Sequence, residues 1–202
     1  MGRWEPNPRG RLAKAAVELF AAQGFDDTTG AQIAARAGMH ERSFFRLFPD
    51  KREVFFHAVE AAQREAVAVI ADLPEDVAPI DAVAAAVAQR CETIQQHTDA
   101  ALIRHELVSA NAELRERDLS KHAELAAAMA EALCERGTAE PVAQLLAHTA
   151  VAVFRLSFER WTADPERQDL PAMFRDGLGE LASALAAGRG GPHRPKRVGK
   201  RQ

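Results

Sequence analysis

Residues 28 to 51 read Thr-Thr-Gly-Ala-Gln-Ile-Ala-Ala-Arg-Ala-Gly-Met-His-Glu-Arg-Ser-Phe-Phe-Arg-Leu-Phe-Pro-Asp-Lys. Their spacing predicts a short helix over 30–37, a turn at Gly38, and a second helix over 41–47. Pro49 ends the second helix, because proline has no backbone N–H to donate. Two helices joined by a short turn that contains glycine are typical of a helix-turn-helix, whose second helix enters the major groove of DNA.

Composition favours an all-α protein. Hydrophobic residues make up 47% of the 202-residue chain and tyrosine is absent, and the abundant alanine is the strongest helix former. The chain has no continuous apolar stretch of about 18 residues, so we predict no membrane span, and no apolar segment of a secretory signal opens it. Cys91 and Cys134 are too few for a disulfide framework, so we expect reduced thiols in a cytoplasmic protein.

Charge is distributed unevenly along the chain. Lys and Arg number ten against nine Asp and Glu in residues 1–66, ten against twenty in 67–188, and six against none in 189–202. The acidic middle segment lies between a near-neutral head and a basic tail. Any contact with nucleic acid is therefore expected at the ends of the chain.

Apolar periodicity predicts helices along nearly the whole chain. They span about 9–23, 30–37, 41–47, 51–72, 80–97, 99–110, 113–136, 140–162 and 170–187. Thr29 and Gln32 have the spacing of a capping box, whereas His40 is a poor N-cap and is a candidate for a DNA contact instead. The stripe on helix 51–72 is longer than a small DNA-binding unit needs, so we predict that this helix connects two parts of the chain.

The last two helices carry more apolar surface than one chain needs. Helix 140–162 is apolar on nearly every side, which indicates burial on both faces, and helix 170–187 has a short seam of apolar residues spaced by four and three. We predict a dimer built as a four-helix bundle. An intramolecular core is the alternative. The candidate interface residues are Val142, Leu146, Val153, Phe174, Leu178, Leu181 and Leu185.

The segment from Arg9 to about Phe56 resembles the DNA-binding domain of the TetR/AcrR family of bacterial repressors. The matching residues are Ala-Val-Glu-Leu-Phe-Ala-Ala-Gln-Gly-Phe (16–25), Thr-Thr (28–29), Ile-Ala-Ala-Arg-Ala-Gly-Met (33–39), Ser-Phe-Phe-Arg-Leu-Phe (43–48) and Lys51. The resemblance implies an all-α homodimer that binds a palindromic double-stranded DNA operator. It also implies a small-molecule effector pocket in a C-terminal domain.

Candidate DNA contacts come from the same segment. Arg42 and Arg46 lie about one turn apart on an exposed helix, where guanidinium groups suit guanine edges and phosphates. The resemblance adds phosphate contacts for Thr29 and Lys51, and base contacts for His40 and Arg42, with Ser43 as a donor to a base or a phosphate. Phe45 takes the place of the family's usual tyrosine, so its contact is expected to be apolar.

The rest of the chain offers only a broad indication of a ligand site. Candidate pocket residues are His97, Arg104, Phe154, Phe158 and Trp161, with His105 and His122 as further polar groups nearby; core or interface packing is the alternative for the aromatic residues. No catalytic constellation, phosphate-binding loop or metal-ligand spacing occurs in the sequence. We therefore predict a protein that is not an enzyme and uses no cofactor.

These observations predict four segments: an arm over 1–8, a DNA-binding domain over 9–56, a ligand-binding and dimerisation domain over 74–187, and a disordered basic tail over 188–202. The predicted function is a repressor released from its operator by a small molecule. An activator or architectural DNA-binding protein without an effector pocket is the alternative. A helical enzyme and a protein-interaction bundle are further alternatives, and the second of these predicts no salt-dependent DNA binding.

Overall fold

The computed structural model describes residues 7–164, 166 and 169–189, which form nine helices and no strand. The helices are α1 (Pro8–Gln23), α2 (Gly30–Arg36), α3 (Glu41–Leu47), α4 (Lys51–Asp72), α5 (Pro79–Gln96), α6 (Thr98–Ala110), α7 (Ala112–Glu135), α8 (Glu140–Ala163) and α9 (Leu170–Arg189). The all-α prediction is confirmed. Residues 188 and 189 belong to α9 rather than to the predicted tail, and residues 1–6 and 190–202 lie outside the described residues.

Capping contacts determine where the helices of the helix-turn-helix begin and end. The Thr29 side chain accepts from the Gln32 backbone N–H at 3.2 Å, and the Gln32 side chain accepts from the Thr29 N–H at 2.7 Å. The predicted capping box is therefore confirmed. His40 makes no side-chain cap bond to α3, and Gly38 takes a φ of 67° at the turn, which glycine adopts without steric cost.

A first hydrophobic core, the head core, lies beneath the helix-turn-helix. It joins α1, α2, α3 and the first turns of α4, with Phe20, Phe44 and Phe56 almost fully buried. Leu114, from the start of α7, is also buried in it. Aromatic burial of this kind contributes roughly 1.5–3 kcal/mol per side chain, so the head core holds α3 in one orientation.

A second hydrophobic core, the bundle core, is formed by α5, α7, α8, α9 and the later turns of α4. Ala66 and Ile70 represent α4 in this cluster, and Trp161 from α8 is its largest fully buried side chain. Helix α4 therefore contributes to both cores without a break. This agrees with the connecting role that its long apolar stripe predicts.

Polar contacts fasten α4 to α7 along much of its length. Glu53 pairs with Arg117 at 2.8 Å, and Glu60 pairs with Lys121 at 2.6 Å. One turn after Glu60, the buried Gln63 amide donates to the Lys121 carbonyl at 2.6 Å. Because these contacts follow one another along the two helices, α4 cannot tilt against α7 without breaking several of them.

The outer face of α8 is apolar and exposed in the single chain. Val142, Leu145 and Leu156 are 48%, 69% and 56% exposed, and Leu185 of α9 is also exposed. The other predicted interface residues, Leu146, Val153, Leu178 and Leu181, are half-buried. Phe174 is fully buried in the bundle core, so its assignment to a surface between subunits was wrong.

Helix α8 also meets the length and composition of a membrane-spanning helix. One such helix is weak evidence, because a core helix of a soluble protein meets the same criteria. Its buried side supports a core role: Phe154 and Trp161 pack inside the bundle core.

Gly30, at the start of α2, allows α3 to pack closely. A Cβ at this position would lie 2.8 Å from the ring of Phe44, which is fully buried. We expect Gly30→Ala to lower the free energy of unfolding by about 1–3 kcal/mol, because the ring has no room to move. Thermal unfolding of Gly30→Ala beside Gly188→Ala, whose Cβ meets nothing within 4 Å, checks this. Equal melting temperatures for the two variants would contradict it.

Candidate DNA interface and ligand cavity

Helix α3 presents a compact exposed surface because its other side is anchored in the head core. Phe44 and Phe48 are buried, and Leu47 is half-buried against them. Arg42 and Arg46 are among the exposed side chains of the helix and face solvent. Neither arginine makes a hydrogen bond or an ion pair with any residue that the structure describes, so both guanidinium groups are free to meet phosphates or base edges.

Phe45 adds an apolar element to this surface. It is 55% exposed, and its ring packs edge-on against Phe44 at 5.2 Å. The same ring lies beside Gly30, 3.3 Å from where a Cβ would be. Thr29 and His40 are exposed nearby on the chain, and Ser43 is half-buried. These six predicted DNA-contacting residues thus lie on or next to α3 and at the start of α2, and their contacts with DNA stay a prediction.

Lys51 has a structural role that the sequence did not reveal. Its ammonium group donates to the carbonyls of Phe25 and Asp26 at 2.7 and 3.1 Å, and it lies 4.3 Å from the centre of the Phe25 ring. Lys51 therefore ties the start of α4 to the turn between α1 and α2. A phosphate contact from Lys51 would have to share its ammonium with these carbonyls.

A cavity of about 590 Å³ lies between the head core and the bundle. Its wall includes Val17 of α1 and Phe55 of α4, together with residues of α5, α6, α7 and α8. Four of the five predicted pocket residues line it: His97, Arg104, Phe154 and Phe158. Trp161 does not, because it is buried behind the wall and stacks on Phe158 at 5.8 Å. Ligand binding by these residues stays a prediction.

Polar groups in the wall form a small network. Arg104 and Asp118 form an ion pair, and the same carboxylate lies 3.4 Å from the His122 ring nitrogen. Burial lowers the pKa of His122 to about 4, assisted by nearby arginines and opposed by Asp118. His122 is therefore neutral at pH 7, and Asp118 is neutralised by Arg104.

Two sequence profiles together cover most of the chain. The profile described as "Bacterial regulatory proteins, tetR family" matches residues 12–58, and the one described as "MftR C-terminal domain" matches residues 77–186. The chain belongs to the TetR family of bacterial regulatory proteins. This confirms the resemblance that residues 9–56 suggested. TetR-family proteins are transcriptional regulators, which are not a class of enzyme.

Individual relatives agree with this membership. The chain is 37% identical over 78 residues to the HTH-type transcriptional regulator TcmR of Streptomyces glaucescens, a match that covers 39% of the chain and 34% of TcmR. The chain thus spans about a third of the length of this curated relative.

Solved structures share the TetR fold over almost the full chain. FadR of Thermus thermophilus, in complex with lauroyl-CoA, has a TM-score of 0.56 and 23% identity, and covers 95% of this chain and 100% of its own. The SmeT–triclosan complex has a TM-score of 0.61 and 22% identity, with coverages of 96% and 99%. A TetR-family regulator from Syntrophomonas wolfei has a TM-score of 0.64 and 15% identity, and the match covers 95% of this chain and 98% of that one.

The exposed α3 arginines allow a test of how DNA is read. We expect Arg42→Ala to remove the preference for one base pair in each half-site, at a cost of about 1–3 kcal/mol, because a bidentate contact to guanine is lost. Selection from random duplex DNA with the wild type and the variant measures this. Arg160→Ala removes an exposed arginine from α8 and should leave the preference unchanged. A uniform loss across all sequences would instead make Arg42 a phosphate contact.

Proposed function

We propose that the protein is a cytoplasmic, dimeric repressor that a small molecule releases from a palindromic operator. Residues 9–56 would bind DNA, and residues 74–187 would bind the effector and form the dimer. The observation that carries this proposal is the position of the cavity, whose wall includes Val17 and Phe55 from the same helices that support α3. A molecule in the cavity would therefore touch the DNA-binding part directly.

Helix α4 supplies the mechanical connection. Phe55 and Phe56 belong to the head core, while Val59 and Ala62, one and two turns further on, line the cavity. A ligand that displaces these side chains must move α4 or deform the head core. Deforming a packed aromatic core is costly, so movement of the whole helix is favoured.

Arg104 adds a polar connection between the same parts. Its guanidinium lies 5.5 Å and 5.1 Å from the ring centres of Phe55 and Phe56, and it pairs with Asp118 on α7. One side chain thus contacts the head core, the bundle and the cavity. A ligand that draws Arg104 away would weaken the contact between head and bundle.

The structural relatives support a small-molecule effector. FadR of Thermus thermophilus was solved with lauroyl-CoA and SmeT with triclosan. A cavity of about 590 Å³ also falls within the roughly 300–1,000 Å³ range of typical ligand pockets. In a dimer, two copies of α3 spaced about 34–36 Å apart would reach successive major grooves. Changing that spacing through α4 would lower operator affinity.

The direct test begins with selection of an operator from random DNA by the full-length protein. A small-molecule library is then screened for compounds that both raise the melting temperature and lower operator affinity. Coupling of about 1–3 kcal/mol corresponds to a loss of roughly 5–150-fold. DNA binding that no cavity ligand alters would contradict the effector-released repressor and favour an architectural role.

The exposed face of α8 predicts the effect of breaking the dimer. We expect Leu145→Glu to give a monomer at micromolar concentration, because it places two like charges in an apolar contact that a two-fold axis repeats. Leu119→Glu changes another exposed leucine, on α7, and should leave the dimer intact. Size-exclusion chromatography with light scattering measures both. A wild-type monomer, or a dimeric Leu145→Glu variant, would contradict the proposed interface.

Substitution of Arg104 is expected to weaken the coupling between ligand binding and operator affinity. Arg104→Lys keeps the charge but loses the planar group that lies over Phe55 and Phe56. We expect ligand-free operator affinity to stay within about threefold of wild type, which is under about 0.7 kcal/mol, while the ligand-induced loss becomes smaller. Operator affinity with and without saturating ligand measures this. An unchanged ratio of the two affinities would exclude Arg104 from the coupling.

A further inference from the structure

Arg90, on α5, is a buried cation that forms no ion pair with a carboxylate of the described residues. Its side chain lines the cavity and the residue is only 7% exposed. Among the residues that the structure describes, Arg90 makes no hydrogen bond and no ion pair, and its buried Nε has no acceptor. A buried charge is costly unless it is paired, so an unpaired arginine at this position indicates a binding role.

The groups around Arg90 do not neutralise it. Asp118, the acidic side chain of the cavity interior, already pairs with Arg104. His122 is neutral at pH 7, because burial lowers its pKa to about 4. Burial, and then the neighbouring Arg104, lower the pKa of Arg90 to about 10. Arg90 therefore still carries its charge at pH 7.

The ring of Phe154 is the main favourable contact that Arg90 makes. The guanidinium carbon lies 5.2 Å from the ring centre. A cation–π contact is weaker than the cost of burying an unpaired ion, so it offsets only part of that cost. It does place the guanidinium beside the ring at the cavity wall, and the N–H groups of a guanidinium suit a bidentate acceptor.

The cavity wall combines an excess of positive side chains with apolar ones. It contains four arginines, Arg90, Arg104, Arg115 and Arg155, against two carboxylates, Asp118 and Glu159. Phe55, Val59, Ile94, Phe154 and Phe158 supply much of the remaining surface. This combination fits a molecule with an apolar body and an anionic group.

We propose that the effector is an amphipathic organic anion, such as a carboxylate on an aliphatic or aromatic body, and that Arg90 is the residue that anchors its charge. This inference rests on the proposed function, because it names the chemical class of that effector. The apolar body would lie along Phe154, Phe158 and the α4 residues. Charge pairing with Arg90 would then set how deeply the ligand enters the cavity.

A matched pair of fluorescent probes tests the inference on the full-length protein. The anion 8-anilinonaphthalene-1-sulfonate and the neutral N-phenyl-1-naphthylamine share one ring system and differ by the sulfonate. Both are titrated into wild type, Arg90→Met and Arg90→Gln. Arg160→Met is the control, because it removes an exposed arginine of α8 that does not line the cavity.

We expect both Arg90 variants to lose about 10–100-fold in affinity for the sulfonate, as for a hydrogen-bonded charge contact. Their affinity for the neutral probe should stay within about threefold of wild type. The melting temperature of ligand-free Arg90→Met should equal or exceed that of wild type, since an unpaired buried charge is removed. Arg160→Met should bind both probes nearly as wild type does.

Three results would contradict the proposed role of Arg90 in binding the anionic group. They are an unchanged affinity of the Arg90 variants for the sulfonate, an equal loss for both probes, and an equal sulfonate loss in Arg160→Met. Operator binding separates this inference from the proposed function. If Arg90 binds the sulfonate but operator affinity does not change, the proposed release by an effector is contradicted and the anchoring role of Arg90 stands. If neutral compounds release the operator equally well from wild type and from the Arg90 variants, the anionic effector is contradicted and the proposed repressor function stands.

Discussion

Helix α4 runs for 22 residues without a break and supplies side chains to both hydrophobic cores. Phe56 is buried beneath the helix-turn-helix, and Ile70, about four turns later, is buried in the bundle. A continuous helix is stiff along its axis, because each residue is held by a backbone bond one turn away. The orientation of α3 therefore depends on how the bundle holds the far end of α4.

The bundle holds α4 by the apolar packing of Ala66 and Ile70, and also by polar contacts with α7 and with Arg104. Glu53, Glu60 and Gln63 each bond to a partner on α7. Polar contacts of this kind contribute little net stability, about 0.5–1.5 kcal/mol for a typical hydrogen bond. They depend strongly on geometry, however, so they favour one relative position of the two helices. A ligand beside them needs to supply only a few kcal/mol to favour another.

Charge placement in the cavity would supply binding energy for an anionic ligand. Burying one unpaired ion costs several kcal/mol, whereas a cation–π contact returns about 0.5–2 kcal/mol. Arg90 thus leaves the ligand-free protein with a deficit that an anion would remove. Arg104, which is already paired with Asp118, contacts Phe55 and Phe56 and would transmit the change.

Sequence predicted the helices to within two residues, because proline, glycine and capping residues mark their ends. It also placed four cavity residues, since Phe154 and Phe158 share one face of α8. Three features depended on tertiary contacts and were missed. Phe174 has the spacing of an interface residue but is covered by the chain itself. Lys51 binds carbonyls of a distant turn, and the isolation of Arg90 depends on how the helices around the cavity pack together.

The most direct test of the coupling is the distance between the two heads of the proposed dimer, measured by electron–electron double resonance. Spin labels would be placed at the exposed Ala31 of α2 in a chain whose Cys91 and Cys134 are replaced by alanine. A ligand that releases the operator should shift the mean distance by several Å, while Leu145→Glu should abolish the signal between subunits. An unchanged distance at ligand saturation would contradict coupling through α4.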